Sequence, residues 1–243
     1  MVEKSKIKYI QSLSQKKLRD EEGVFVAEGP KIINELLAEP NIERKELFAT
    51  KEWLNTNEQP AAGAVTEVDD AMLRRLSFLT TPNQVLGIFR KPVHGRFAPE
   101  GQVSLLLQTI QDPGNMGSII RCADWFGVTQ LVCSRDCVDA FSPKTIQSTM
   151  GSIARVKVFY DDLAAIINAH RKVNVYAAAL DGESVREMSA VEEAMIVVGN
   201  ESKGISGEIL DLCSGRITIP GKGGAESLNA AVATGIILSH LVR

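Results

Sequence analysis

QTIQDPGNMGSIIRCADWFGV, residues 108–128, leads from an apolar strand through a loop rich in Gly and Asn into a helix. Upstream, VSLLLQTI (103–110) is a continuous apolar run, the pattern of a strand buried on both faces. Downstream, Met116, Ile119, Ile120, Ala123 and Phe126 recur at helical spacing. The same progression returns in IVVGNESKG (196–204) and in IPGKGGAESLNAAVATGI (219–236). Parallel α/β sheets bind ligands in crevices outside the carboxyl ends of their strands. Polar loops of this kind in one domain therefore predict one composite site. It contains Asn115, Arg121, Glu201, Ser227 and Asn229, with no histidine and no cysteine pair.

Outward from this segment the β-α alternation continues. QLVCS (130–134), VKVFY (156–160), NVYAAAL (174–180), AMIVVGN (194–200) and RITIP (216–220) read as strands separated by helical stretches. SPKTIQSTMGSIA (142–154) reads as one polar helix, and a last helix begins near Ser227. Such alternation predicts an α/β fold, a mostly parallel sheet with helices on both faces. Before it, KPVHGRFAPEGQ (91–102) has the Pro and Gly content of a linker. The expected organisation is a small α/β domain over 1–92, a linker over 93–102 and a larger domain over 103–243. In the first domain one polar helix is expected over roughly 5–20, then strand VFVAE (24–28) and a helix opened by Pro30.

The balance of 27 Lys and Arg against 30 Asp and Glu argues weakly against a nucleic-acid partner. Its distribution says otherwise. Lys4, Lys6, Lys8, Lys16, Lys17 and Arg19 fall in the first nineteen residues, where Glu3 is the only acid. Such a cluster binds phosphates even on an acidic chain, though a solvated helical face has the same composition. Cys122, Cys133, Cys137 and Cys213 have no metal-site spacing and read as reduced thiols of a cytoplasmic protein. MVEKSKIKYIQ has no apolar core of a signal peptide, and no apolar run approaches membrane-spanning length.

Several familiar sites are disfavoured. Around PGKGG, Arg216 and Gly223 stand where a Walker loop needs Gly and Ser or Thr. Glu226 replaces the third Gly of a dinucleotide fingerprint, no GxSxG elbow occurs, and His94, His170 and His240 fall in none of the three loops. Asn115 sits where a helix N-cap belongs, and Ser227 or Asn229 where the last helix would be capped, so each reads as cap or as site residue. Arg121 is harder to dismiss. It lies off the apolar stripe and leans toward a helix N-terminus, where a cation is disfavoured unless an anionic or carbonyl partner holds it.

Taken together, N-x-G-x-x-x-R (Asn115, Gly117, Arg121), G-x-E-x-x-G (Gly199, Glu201, Gly204) and I-P followed by S-L-N (Ile219, Pro220, Ser227, Leu228, Asn229) resemble the SpoU/TrmH family. These are RNA ribose 2′-O-methyltransferases of the SPOUT superfamily. The likeness covers about residues 103–243. QSLSQKKLRDEEGVFVAEGPKIINELL (11–37) resembles the family's accessory RNA-binding domain, with a F-x-x-E-G turn at Phe25, Glu28 and Gly29.

The resemblance implies a C-terminal trefoil knot, S-adenosylmethionine as cofactor, no metal, a homodimer and an RNA partner. It implies cofactor contacts at Leu180, Gly199, Ile219 and Leu228, catalytic roles for Arg121, Asn115, Glu201, Ser227 and Asn229, and RNA contacts at Lys16, Lys17, Arg19 and Glu28. Arginine does not give up its proton in proteins, so Arg121 is expected to orient the hydroxyl and stabilise charge. The family often has a large apolar residue where this chain has Gly221, which is expected to loosen the cofactor pocket. The expected target is large-subunit ribosomal RNA. Transfer RNA and a non-catalytic RNA-binding role are the alternatives.

Overall fold

The computed structural model describes residues 2–57, 64–200 and 202–242. Along the chain run α1 (Lys4–Ser12), α2 (Lys16–Glu22), β1 (Val24–Glu28), α3 (Pro30–Ala38), β2 (Arg44–Ala49), α4 (Lys51–Thr56), β3 (Ala64–Glu67), α5 (Asp70–Leu76) and β4 (Val85–Arg90). There follow β5 (Val103–Leu107), α6 (Pro113–Trp125), β6 (Gln130–Cys133), α7 (Pro143–Thr149), β7 (Lys157–Tyr160) and α8 (Leu163–Ala169). The chain ends with β8 (Val175–Ser184), β9 (Ala194–Val198), α9 (Gly207–Leu212), β10 (Gly215–Thr218) and α10 (Ala230–Leu241). Two compact units result: Met1–His94 with Asp139–Ala154, and Gly95–Val138 with Arg155–Arg243.

In the first unit the sheet order is β1-β4-β2-β3. β4 runs antiparallel to both β1 and β2, and β3 is parallel to β2. Ile10 and Leu13 pack with Val24, Phe48, Leu76 and Ile88 in its core. The single helix expected over 5–20 is two helices. Leu13 is buried at the break, and the Arg19 guanidinium donates to the carbonyls of Leu13 and Ser14, both at 2.7 Å. The segment 139–154, expected from sequence to run on into the larger domain, belongs to this unit. Asp139 pairs with Arg19 at 2.5 Å, the Phe141 ring lies 5.3 Å from that of Phe25, and α7 packs on β1. α7 itself stops at Thr149 because Met150 turns into the left-handed region, with φ 52°.

Two residues expected to contact RNA, Arg19 and Glu28, are buried instead. Arg19 is 2% exposed, its guanidinium committed to Asp139 and to two carbonyls. Glu28 is 4% exposed; it accepts the Phe78 N–H at 2.8 Å and the Ser77 hydroxyl, and burial raises its pKa. Both side chains are buried in contacts within this unit. Lys16 and Lys17 are exposed, Lys17 within 3.8 Å of Glu21.

In the second unit six parallel strands lie in the order β10-β8-β9-β5-β6-β7. β5 is buried throughout, as its unbroken apolar run requires. The chain winds from β5 toward β7 on one side, then returns to place β9 on the other. Strand order thus reverses at β5, and parallel α/β sheets bind ligands outside the carboxyl ends of strands near such a point. Leu106, Val132, Val175, Met195 and Val197 pack with Leu163 and Ile209 of the covering helices. Among the described residues no helix is long and apolar enough to cross a membrane.

Candidate functional site

The loop after β5 starts α6 differently from the sequence expectation. Asp112 is the N-cap, its carboxylate accepting the Asn115 N–H at 2.8 Å, and Pro113 opens the first turn. Asn115 is therefore released from capping. Its Oδ1 accepts a hydrogen bond from Asn229 Nδ2 at 2.8 Å. Asn229 is itself the cap of α10, accepting the N–H groups of Ala231 at 3.0 Å and Val232 at 3.2 Å. α6 and α10 pack side by side. α10 thus starts at Ala230, after Ser227 rather than at it, and Ser227 and Leu228 are left to line a cleft.

That cleft, about 430 Å³, lies at the carboxyl ends of β8, β9 and β10. Leu180, Gly199, Ile219 and Leu228 all line it, with Ser227 beside them. Its shape comes from a break in register. β10 pairs with β8 at Ala177 and then at Glu183, so the intervening residues leave the ladder and carry Leu180 and Asp181 to the rim. Gly199 is required by close approach: a Cβ there would stand 2.5 Å from the carbonyl of Gly204. Leu180 and Leu228 are 78% and 45% exposed. Large apolar side chains bared at a concave rim suit an organic ligand with a flat apolar face, and the volume is in the range of small-molecule sites. Val198, Ile217 and Ile237 supply further apolar wall. Gly221 is outside the lining, and a Cβ there would meet nothing within 4 Å. The expected loosening of the wall falls beside the cleft rather than in it.

Arg121 is exposed on α6 and has no hydrogen-bond or ion-pair partner among the described residues. Glu201 lies outside the described residues. The structure brings Asn115 and Asn229 into contact and, through the short run from Ser227 to Asn229, sets that pair next to the cleft.

Residues not singled out from sequence hold the loops. Thr109 donates its N–H to Ser134 Oγ at 2.9 Å and its hydroxyl to Asp136 at 2.8 Å, and its carbonyl accepts from Asn200 Nδ2 at 3.1 Å. Hydrogen bonds from Ser134 and then Thr109 hold the Asp136 carboxyl below its usual range. The Cys137 thiol is brought down to about 7, first by its hydrogen bond with Cys133 and then by those from Ser134 and the Ile110 N–H. One signal for this arrangement was legible, an Asp followed by Pro at a helix start. Thr109 and Asp136 carry none, since their pairing joins two loops. Among the described residues no group of three or more His, Cys, Asp or Glu is placed to hold a metal ion.

Comparison with known proteins shows the family and the fold. A family profile described as the SpoU rRNA methylase family matches residues 102–239. One described as the MRM3-like substrate binding domain matches residues 4–87. The chain is similar to the 23S rRNA (guanosine(2553)-2′-O)-methyltransferase RlmP of Bacillus subtilis, 30% identical over 97% of this chain and 95% of that one. A structure described as a TrmH-family RNA methyltransferase from Porphyromonas gingivalis superposes with a TM-score of 0.90 at 36% identity, over 99% of this chain and 98% of the other. An AdoMet-bound rRNA methyltransferase from Sinorhizobium meliloti superposes with a TM-score of 0.84 at 29% identity, over 99% and 95%.

Proposed function

We infer from one premise, that this chain belongs to the SpoU rRNA methylase family, that it is an S-adenosylmethionine-dependent RNA methyltransferase acting on a ribose 2′-hydroxyl. The substrate this reading favours is large-subunit ribosomal RNA, the class named for the full-length Bacillus relative. The observation that carries it is a juxtaposition. The apolar cleft bearing Leu180, Gly199, Ile219 and Leu228 runs directly, through Ser227, into the Asn229–Asn115 pair at the start of the helix that bears Arg121.

When bound, S-adenosylmethionine supplies an electrophilic methyl on a cationic sulfur. The protein's own task is to align a hydroxyl with it and to stabilise charge as the hydroxyl proton departs. The cleft walls would hold the cofactor by apolar contact and by backbone groups around Gly199 and Ile219. Arg121, exposed and unpaired among the described residues, presents a planar set of donors for a ribose or phosphate oxygen. Asn115 and Asn229 fix the start of the helix that carries it. Ser227 lines the rim at which the ribose would arrive, and Glu201 is assigned with Arg121 by the motif.

The first unit is proposed to bind the RNA, through exposed cations that include Lys16 and Lys17 with Lys4, Lys8, Arg74 and Arg75. Trp125 on α6 and Val232 on α10, 83% and 51% exposed, give the apolar face on which we propose a homodimer forms. A trefoil knot in the second unit and a cytoplasmic location, in keeping with four free thiols, complete the reading.

The test is transfer of labelled methyl from S-adenosylmethionine to separated ribosomal and transfer RNA, with the labelled nucleotide mapped. Label in large-subunit RNA at a ribose 2′-oxygen is expected. Label in transfer RNA alone would move the substrate, and no label in either would overturn the reaction.

A further inference from the structure

Thr109 sits in the left-handed region, with φ 57°. A β-branched residue is disfavoured there, and such strain persists only where contacts over-determine it, most often at functional sites. The contacts are of two origins. The N–H and hydroxyl bonds, to Ser134 and Asp136, tie Thr109 to the loop after β6. The carbonyl bond comes from Asn200, which lines the cleft. Asn200 Oδ1 accepts the N–H groups of Ser202 at 2.9 Å and Lys203 at 3.1 Å, so one amide shapes a wall of the cleft with its oxygen and grips Thr109 with its nitrogen.

From Thr109 the chain has only Ile110 and Gln111 before Asp112, the cap of α6. Ile110 is held as well: its N–H donates to Cys137 Sγ at 3.2 Å, and its carbonyl accepts the Val138 N–H at 2.8 Å. No slack separates the strained residue from the helix that carries Asn115 and Arg121.

We propose that Asn200 and Thr109 form a latch through which occupancy of the cofactor cleft sets the position of Asn115 and Arg121. The inference rests on the methyltransferase reading above. Asn200 is here a positioning residue: it touches the wall of the cleft with one end of its amide and, with the other, the backbone that leads into the catalytic helix. A displacement of about 1 Å in a reacting group costs on the order of a hundredfold in rate, so a tether at this point links cofactor binding to alignment.

Asn200→Asp separates the two ends of the amide. The carboxylate still accepts from Ser202 and Lys203, but the donor to Thr109 is gone. The kcat is expected to fall at least about tenfold, and by more than cofactor affinity weakens. In the wild-type protein S-adenosylmethionine is expected to slow amide exchange across residues 109–116, and in Asn200→Asp this protection is expected to be lost. Thr109→Gly, which accepts a positive φ without strain, keeps the carbonyl but frees the backbone. Combined with Asn200→Asp it is expected to be no worse than the poorer single variant, the non-additivity of two parts of one device.

Wild-type kcat and protection in Asn200→Asp would overturn the latch. So would reduced cofactor affinity with kcat retained, or the absence of protection at 109–116 in the wild type. A wild-type protein that shows latch-dependent protection but methylates no RNA would leave the latch standing and remove the functional reading instead.

Discussion

Asn229 Nδ2 donates to Asn115 Oδ1 at 2.8 Å, joining the cap of the last helix to the first turn of α6 across 114 residues of chain. Asn229 does two jobs, since its Oδ1 also caps α10. The two are separable. Asn229→Ser keeps a good cap but is too short to reach Asn115; Asn229→Ala loses both. Asn229→Ala is expected to lose about 1 kcal/mol of stability, Asn229→Ser a few tenths, and both are expected to lose methyl transfer. Denaturation midpoints with turnover measured on the same samples check this, and a fully active Asn229→Ser would remove Asn115–Asn229 from the site.

Arg121 is exposed on α6, and its replacement tests the orienting role. Arg121→Ala is expected to abolish methyl transfer with little change in cofactor affinity, because the cleft is lined by other segments. Arg121→Lys is expected to fail too, since a point charge lacks the planar fork. Lysine restoring near-wild-type turnover would contradict the orienting role.

Arg19 and the lysines beside it are expected to behave differently despite sharing one basic run. Arg19→Ala leaves Asp139 buried without its counter-charge and is expected to cost about 3–5 kcal/mol. Neutralising Lys16 and Lys17 is expected to leave stability nearly unchanged. It should reduce the slope of log RNA affinity against log salt by about 0.7–0.9 for each RNA phosphate that is no longer neutralised. Titrations at several salt concentrations decide this; a wild-type slope in the double lysine variant would exclude these side chains from the RNA interface.

Glu28 makes stability pH-dependent in a defined direction. Burial raises its folded pKa above the ordinary 4.5, so between the two values the native state holds the proton more tightly. Its contribution is fully present below the unfolded pKa and is lost as pH rises through the folded one. Glu28→Gln keeps an acceptor for the Phe78 N–H and a partner for Ser77 without titrating. Its Tm relative to wild type is expected to rise with pH across that window. Glu28→Ala, which strands the Phe78 N–H, is expected to cost about 1–3 kcal/mol. A Tm difference constant with pH would show that Glu28 does not titrate in folding.

Local sequence was enough for the class of fold. Unbroken apolar strands and regular β-α alternation are local patterns, and they predicted the parallel sheet. Leu180, Gly199, Ile219 and Leu228 were expected from the family resemblance alone, and it is the packed sheet that brings all four to one cleft. Which polar side chains are free to act was settled by tertiary packing. Arg19 looks like a surface charge within a basic run and Glu28 like part of an RNA-binding turn, and only contacts with Asp139 and Phe78, from far along the chain, commit them to the interior. Asn115 reads as a cap until Asp112 takes that place and Asn229 claims its side chain. Thr109 carries no signal, because its strain is held by partners from two other loops. Periodicity and spacing report a residue's neighbours within its own element. A hydrogen bond or ion pair between elements depends on where the packed sheet brings their ends, and that is settled only when the core closes.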